Sequence, residues 1–453
     1  MKKAILILIL TGFAASHSVA GGTPDSTLNL IDKGFITAKM VKAKDELYTK
    51  DYRAALILYR EVIEDDPKNA GAFYYMAECH YGLTNYEIAL ENMKKAEALD
   101  PKVNKDLDLL KGNINLRLEN IDVALEAYTR FKATLKEPEI KDREINELIA
   151  NCEVAKKLMA NPLKVEIKNL GELINSHNDD YSPLPVADGT TLYFTSRRPS
   201  AGNSVAYEGD HKYFEDIYFS VKDDQGAWQQ SEMAGGKLNV DQFDNCGHLS
   251  TDGSQMYITY NVLGWTKGGD IGLAKKSVAG TWGQGTLLPK KSVNSTYFEA
   301  CPTLPADETF MYFVSDRPKG SNVIVDGDLN LWRVNMRKGK PAGAPVPMTS
   351  LNTQYHETTP WLHPSGKFII FSSEGHGSMG GHDIFISEFI EGTWATPRNL
   401  GYPINSTDDD VFFRVSSDGK TAYFSSIRKG GRGEKDIYEV DISSLNLFAG
   451  SGK

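Results

Sequence analysis

The segment SSDGKTAYFSSIRKGGRGEKDIYEV, residues 416–440, constrains the fold of this chain more than any other feature, because the unit it belongs to occurs five times. Each copy opens on an asparagine: Asn175, Asn239, Asn294, Asn352 or Asn405. Five residues later stands an acid, Asp180, Asp244, Glu299, Glu357 or Asp410. A turn follows, at Asp188-Gly189, Asp252-Gly253, Asp307-Glu308, Ser365-Gly366 and Asp418-Gly419. After it come an alternating strand (TLYFTS, QMYITY, FMYFVS, FIIFSS, TAYFSS) and a glycine-rich or basic loop. An Asp-led strand closes the unit, read as DIYFS, DIGLA, DLNLW (Asp328), DIFIS and DIYEV. Three units add Gly-x-Trp, at Trp228, Trp282 and Trp394.

The units start 64, 55, 58 and 53 residues apart. Four short antiparallel strands at that period define a β-propeller blade, which buries its two apolar faces only between neighbours. The core therefore lies between copies, and repetition is obligatory. The fifth unit stops at its third strand, and LKVEIKNLG (163–171) precedes the first asparagine as WATPRNLGYPIN precedes the fifth. The expectation is five blades over 161–445, with 163–171 pairing onto 436–442 to close the ring and 446–453 as a tail.

Ahead of Asn161-Pro162 the period is helical. Ala55, Ala89 and Ala124 recur at 34 and 35 residues; Tyr59, Met93 and Tyr128 each follow four later; Pro67 and Pro101 end helices. A small residue lets paired helices approach, an aromatic fills the gap and proline stops the helix. This pattern resembles the tetratricopeptide repeat, best over 70–103. The expectation is repeats over 35–160, with 139–160 as one capping helix. Counting along the family pattern puts Lys44, Tyr74, Glu78, Tyr81, Asn113 and Arg117 on the concave groove, as candidates for binding a protein partner. The other reading is that some of these tyrosines pack between helices.

The β units resemble the Asp-Ile-Tyr repeats of TolB-like propellers. Helical repeats followed by such a propeller look like Bacteroidetes envelope proteins, some of them in the type IX secretion and gliding apparatus, often with an OmpA-like domain after the propeller. This sequence ends at SSLNLFAGSGK without that domain, so peptidoglycan binding is not carried over. The start, MKKAILILILTGFAASHSVA, reads as a cleavable secretory signal over 1–20, followed by a flexible segment, 21–34. The expected location is the periplasm, associated with the outer membrane, and no other stretch is apolar enough to span a bilayer.

The formal charge of −10, basic in neither half, argues against nucleic acid as a partner. Cys79, Cys152, Cys246 and Cys301 are too few for a disulfide scaffold. Cys246 and Cys301 match between neighbouring repeats, which leaves a bridge or two apolar fillers.

The five acids have two readings: a ring of carboxylates lining the central channel, or caps on backbone amides at the strand starts. Loop residues Arg197, Arg198, Arg317, Lys319, Arg428, Lys429 and Arg432 form a basic surface if they lie on another face. His376 and His382 are a faint metal signal, and no cofactor is expected. No nucleophile elbow, zinc-protease helix or nucleotide loop is present. The expectation is a non-catalytic scaffold with protein partners in the envelope. The alternative is a propeller enzyme or carbohydrate-binding protein acting on envelope glycans through the five acids.

Overall fold

In the computed structural model the described residues are 29–449, excepting 241, 263, 267, 291 and 319–326. The expected leader (1–20), residues 21–28 of the segment expected after it, the last tail residues and Lys319 lie outside them.

The helical part runs α1 (Leu30–Tyr48), α2 (Tyr52–Asp65), α3 (Ala70–Gly82), α4 (Tyr86–Leu99), α5 (Leu107–Arg117), α6 (Ile121–Lys132), α7 (Glu137–Asp142) and α8 (Ile145–Met159). Asn29, Asp51 and Asn69 cap α1, α2 and α3 through side-chain oxygens that accept first-turn amides. The repeat alanines Ala55, Ala89 and Ala124 are fully buried beside Tyr59, Met93 and Tyr128. The paired helices approach closely: a methyl on Gly112 of α5 would run into the Tyr128 ring of α6. The segment expected as one capping helix is two. Glu144 adopts a left-handed conformation (φ 50°), which ends α7 before α8 begins. Arg143, beside that break, pairs with Asp106 at 2.8 Å and covers the Phe131 ring.

Five sheets follow. Blade 1 comprises Asp180–Pro185, Thr191–Ser196, Asp216–Val221 and Glu232–Met233; blade 2 comprises Phe243–Leu249, Gln255–Asn261, Asp270–Lys275 and Thr286–Leu287. Blade 3 holds Glu299–Thr303, Phe310–Ser315, Asn330–Arg337 and Lys340–Pro347; blade 4 holds Glu357–Leu362, Phe368–Ser373, Asp383–Ile390 and a split outer edge, Thr393–Trp394 and Arg398–Asn399. Blade 5 contributes Asp410–Val415, Thr421–Ser426 and Asp436–Asp441, and its fourth strand is Ile167–Asn169. That closing strand pairs Ile167 with Val440 and Asn169 with Tyr438, so the ring shuts as the sequence implied.

The asparagine that opens each unit joins consecutive blades. Its side chain accepts from the N–H and donates to the C=O of one residue on the third strand before it, imitating a paired strand. The pairs are Asn175 with Ile437, Asn239 with Ile217, Asn294 with Ile271, Asn352 with Leu331 and Asn405 with Ile384. This corrects one alignment. In blade 3 the residue opposite Ser315 is Asn330, not Asp328, so NLWRV takes the place that DIYFS takes in blade 1. The Gly-x-Trp residues lock neighbours too. Trp282 donates to the Tyr193 hydroxyl at 3.2 Å and Trp394 to that of Tyr312 at 3.3 Å, while Trp228 meets Tyr423 edge-on. All four cysteines are free and buried.

Candidate functional site

The repeat acids come first, because they were the strongest chemical signal. All five are fully buried, and each accepts from the backbone N–H four residues upstream: Ser176, Val240, Ser295, Thr353 and Ser406. Register explains the rest. The acid opens the inner strand opposite the last residue of the second strand, as with Asp180 and Ser196 or Asp410 and Ser426. The loop arginine two residues further on then reaches the carboxylate: Arg198–Asp180 at 2.6 Å, Arg317–Glu299 at 2.7 Å and Arg428–Asp410 at 2.7 Å. Acids and arginines read as separate surfaces thus meet at one end of the blade, and Asp180, Asp244, Glu299, Glu357 and Asp410 show no carboxylate to the channel. Burial raises the pKa of Asp180, Glu299 and Asp410, with the arginines pulling the other way. These groups hold blade ends together.

The six groove candidates separate. Tyr74 is buried and donates to Glu78 at 2.9 Å; burial, only partly offset by that bond, raises the Glu78 pKa. Asn113 accepts from the buried Tyr128 hydroxyl at 2.9 Å. Lys44 is half-exposed over the Tyr75 ring (4.9 Å) and near Tyr48 (5.8 Å), and Tyr48 is 72% exposed. Tyr81 packs on Tyr86. Arg117 turns away to the propeller.

The solenoid stands on the propeller edge-first, through the turns of its three hairpins. The first turn supplies Thr49 and Asp51 to His211 at 3.3 and 3.5 Å. At the second, the Tyr86 hydroxyl donates to Asp408 and Glu87 pairs with Lys429 at 3.2 Å. From the third, Arg117 donates to the Thr407 carbonyl and lies 3.8 Å from Asp408, while Glu119 accepts from the Tyr402 hydroxyl at 3.3 Å. Met379 of blade 4 is buried with Leu116, Ile121, Cys152 and Ala155. A cavity of about 450 Å³ lies along this seam, lined by Tyr86, Arg117, Glu119, Tyr402, Asp408 and Arg432 among others.

Behind the seam runs a line of partly buried charge. His382 meets Asp409 at 3.1 Å, Lys435 meets Asp409 at 3.3 Å, the Lys435 amide donates to Asp179 at 3.0 Å, and Lys212 bridges Asp179 and Glu434. Burial opposes ionisation of Asp409, yet His382, Lys435 and Arg117 hold it well below the usual carboxylate range. For His382 burial is likewise outweighed, by the Asp409 hydrogen bond and charge, and its pKa is raised. Sequence reasoning singled out His382, as a metal signal, and missed Asp179, Lys212, Asp409, Glu434 and Lys435. The signal for Asp179 and Asp409 was a departure from the repeat: an acid stands immediately before the repeat acid in NDDYS and TDDDVFF and in no other unit.

His376 bonds the Leu351 carbonyl at 2.8 Å, so it and His382 serve different loops. Among the described residues no group of three histidine, cysteine or acidic side chains is arranged to hold a metal. No described helix is long and apolar enough to cross a membrane.

Topology alone therefore defines the class: a tetratricopeptide-type helical stack joined to a five-bladed propeller that a strand from its own start closes. No family model matches the chain. An SGT1 protein homologue of Oryza sativa subsp. japonica is 31% identical over 128 residues, covering 27% of this chain and 33% of that one. The chain thus spans about a third of the length of the curated relative it matches. A solved chain assigned as TolB from Agrobacterium tumefaciens is similar at TM-score 0.37 and 14% identity, over 61% of this chain and 96% of that one. The Yersinia enterocolitica type III secretion chaperone SycD, in complex with a peptide of the translocator YopD, gives TM-score 0.26 and 14% identity over 28% and 99%.

Proposed function

We propose that the protein is a non-catalytic scaffold that holds a protein partner on its helical groove, beside a rigid propeller. One observation carries this reading. The propeller is met by the hairpin turns of the solenoid, so the wall carrying Lys44, Tyr48, Tyr75 and Glu78 stays open while the two domains are fixed together. A half-exposed mixture of aromatic and charged groups on a repeat wall suits an extended peptide. The leader-like start and the resemblance to envelope proteins support a role in the periplasm, within an outer-membrane or type IX secretion assembly. The glycan-enzyme reading is weaker, since each acid it relies on is buried in a structural clamp.

The test is photo-crosslinking in native cells from a probe at Tyr48, with the captured partner identified by mass spectrometry and its affinity measured on purified components. Lys44→Glu combined with Tyr48→Ala should weaken that affinity at least tenfold and leave melting unchanged. Unaltered affinity refutes the groove, and glycan turnover by the purified chain refutes the scaffold.

A further inference from the structure

The five-fold repeat leaves one level of the ring unrepeated. Four residues after the acid, the inner strands carry Leu184, His248, Thr303, Trp361 and Arg414. They occupy equivalent register, opposite Tyr193, Tyr257, Tyr312, Ile370 and Tyr423, just past the bulge in each inner strand. A level that accepts leucine, histidine, threonine, tryptophan and arginine is not one whose side chain the fold dictates.

Arg414 is the anomaly there. It is 2% exposed. Its Nη1 donates to the carbonyls of Thr359 at 3.2 Å and Phe413 at 3.3 Å, and its Nη2 has no hydrogen-bond partner. The clamp arginines Arg198, Arg317 and Arg428 each hold a carboxylate, whereas the ionisable groups that favour the charged form of Arg414 are the thiols of Cys301 and Cys246. Burial pushes those thiols up to about 11, so they bring no negative charge at neutral pH. Burial also lowers Arg414 to about 10, which leaves it a cation. A buried cation without a counter-charge is among the costliest things a fold can contain.

Arg414 borders a cavity of about 230 Å³ on the ring axis, to which all five blades contribute. The cavity opens among the Asp-Gly turns, on the face away from the helices. Its walls include Leu184, Leu304, Trp361, Leu362 and Val415. His248 also lines it, held neutral down to about pH 3 by burial and by the charge of Arg414. Glu308, the carboxylate among the lining residues, belongs to the blade 3 turn at the rim and forms no ion pair with Arg414.

We propose that this cavity is an anion site in which Arg414 binds the carboxylate of a ligand with an apolar stem, either a small organic acid or the C-terminus of a peptide. Nη2 is closed off in the unliganded ring, so Arg414 supplies the charge-assisted donor by turning that unpaired nitrogen into the cavity, with His248 as a second polar contact and the leucines with Trp361 receiving the stem. An inorganic ion would leave those apolar walls unused.

Calorimetric titration and thermal melting of the whole chain test this, with hexanoate and a short acetylated peptide ending in leucine, each against its amide. Saturable binding of a free acid, a matching rise in Tm and no binding of the amide are expected. Hexanoate alone identifies the organic-acid source, and the peptide acid identifies the chain terminus. Arg414→Gln should weaken binding about 10- to 100-fold, the worth of a charge-assisted pair. It should melt no lower than the parent without ligand, because it removes an unpaired buried charge. Amides that bind as well as acids, saturation by chloride only, absence of binding, or an Arg414→Gln chain that melts lower without ligand would each overturn the assignment.

Discussion

Replacing Arg428 with methionine probes the clamp that closes the ring. The guanidinium donates to Asp410 at 2.7 Å, to the carbonyls of Pro403 and Ile404 at 2.7 and 2.6 Å and to the Ser426 hydroxyl at 2.8 Å, over the Phe424 ring. Methionine keeps the apolar contact and strands a fully buried carboxylate together with two carbonyls. Breaking a buried pair from one side costs about 3–5 kcal/mol. In a ring of this size that lowers Tm by roughly 6–10 °C. Scanning calorimetry of Arg428→Met, Asp410→Asn and the double variant should find the double less damaged than the two single losses added together. The cost also depends on pH. Burial already raises Asp410 above its unfolded value, and losing Arg428 raises it further. An acid with a raised folded pKa loses stability as pH climbs above the unfolded value of about 3.9. The gap between parent and variant should therefore widen as pH rises above that value. A gap that is constant with pH, or a single-variant loss under about 1 kcal/mol, refutes the view that this carboxylate is held ionised by Arg428.

Three further outcomes are expected. Parent and His382→Gln should differ most in Tm between about pH 4 and 6.5. The raised His382 pKa gives stability that is lost as pH rises through it, and the depressed Asp409 pKa gives stability that is lost as pH falls through it. Gly380→Ala should loosen the seam, because its methyl would run into the Thr407 carbonyl and the Arg117 guanidinium; faster proteolysis between the domains measures this. Trp394→Ala should cost about 3–5 kcal/mol in chemical denaturation, whereas Trp394→Phe should cost about 1 kcal/mol for the lost hydrogen bond to Tyr312.

The blades were legible because a core shared between copies forces the same pattern on each. Where copies diverge, the sequence misleads. DLNLW presents an aspartate in the expected place, but the Asn352 clamp grips Leu331 and sets the register two residues later. The acid offset was visible and its partner overlooked, although Asp180–Arg198, Glu299–Arg317 and Asp410–Arg428 are all separated by 18 residues. The break at Glu144 carries no glycine or proline to announce it. The seam was beyond reach for another reason: Tyr86 and Asp408 lie 322 residues apart, in two different repeats, and neither pattern carries information about the other. Arg117 shows the limit, since family spacing assigned it to a groove and only the second domain turns it toward Asp408.

The strand Ile167–Asn169 has an implication for synthesis. It leaves the ribosome directly after α8, whereas its partner Asp436–Asp441 is made only after every other strand of the ring. The helices can assemble early, but the circle stays open until the last strand of the fifth blade has been made, and contacts this distant form slowly. A nascent chain truncated before Asp436 would hold an unlatched set of blades with a bare edge, the kind of species that quality control recognises.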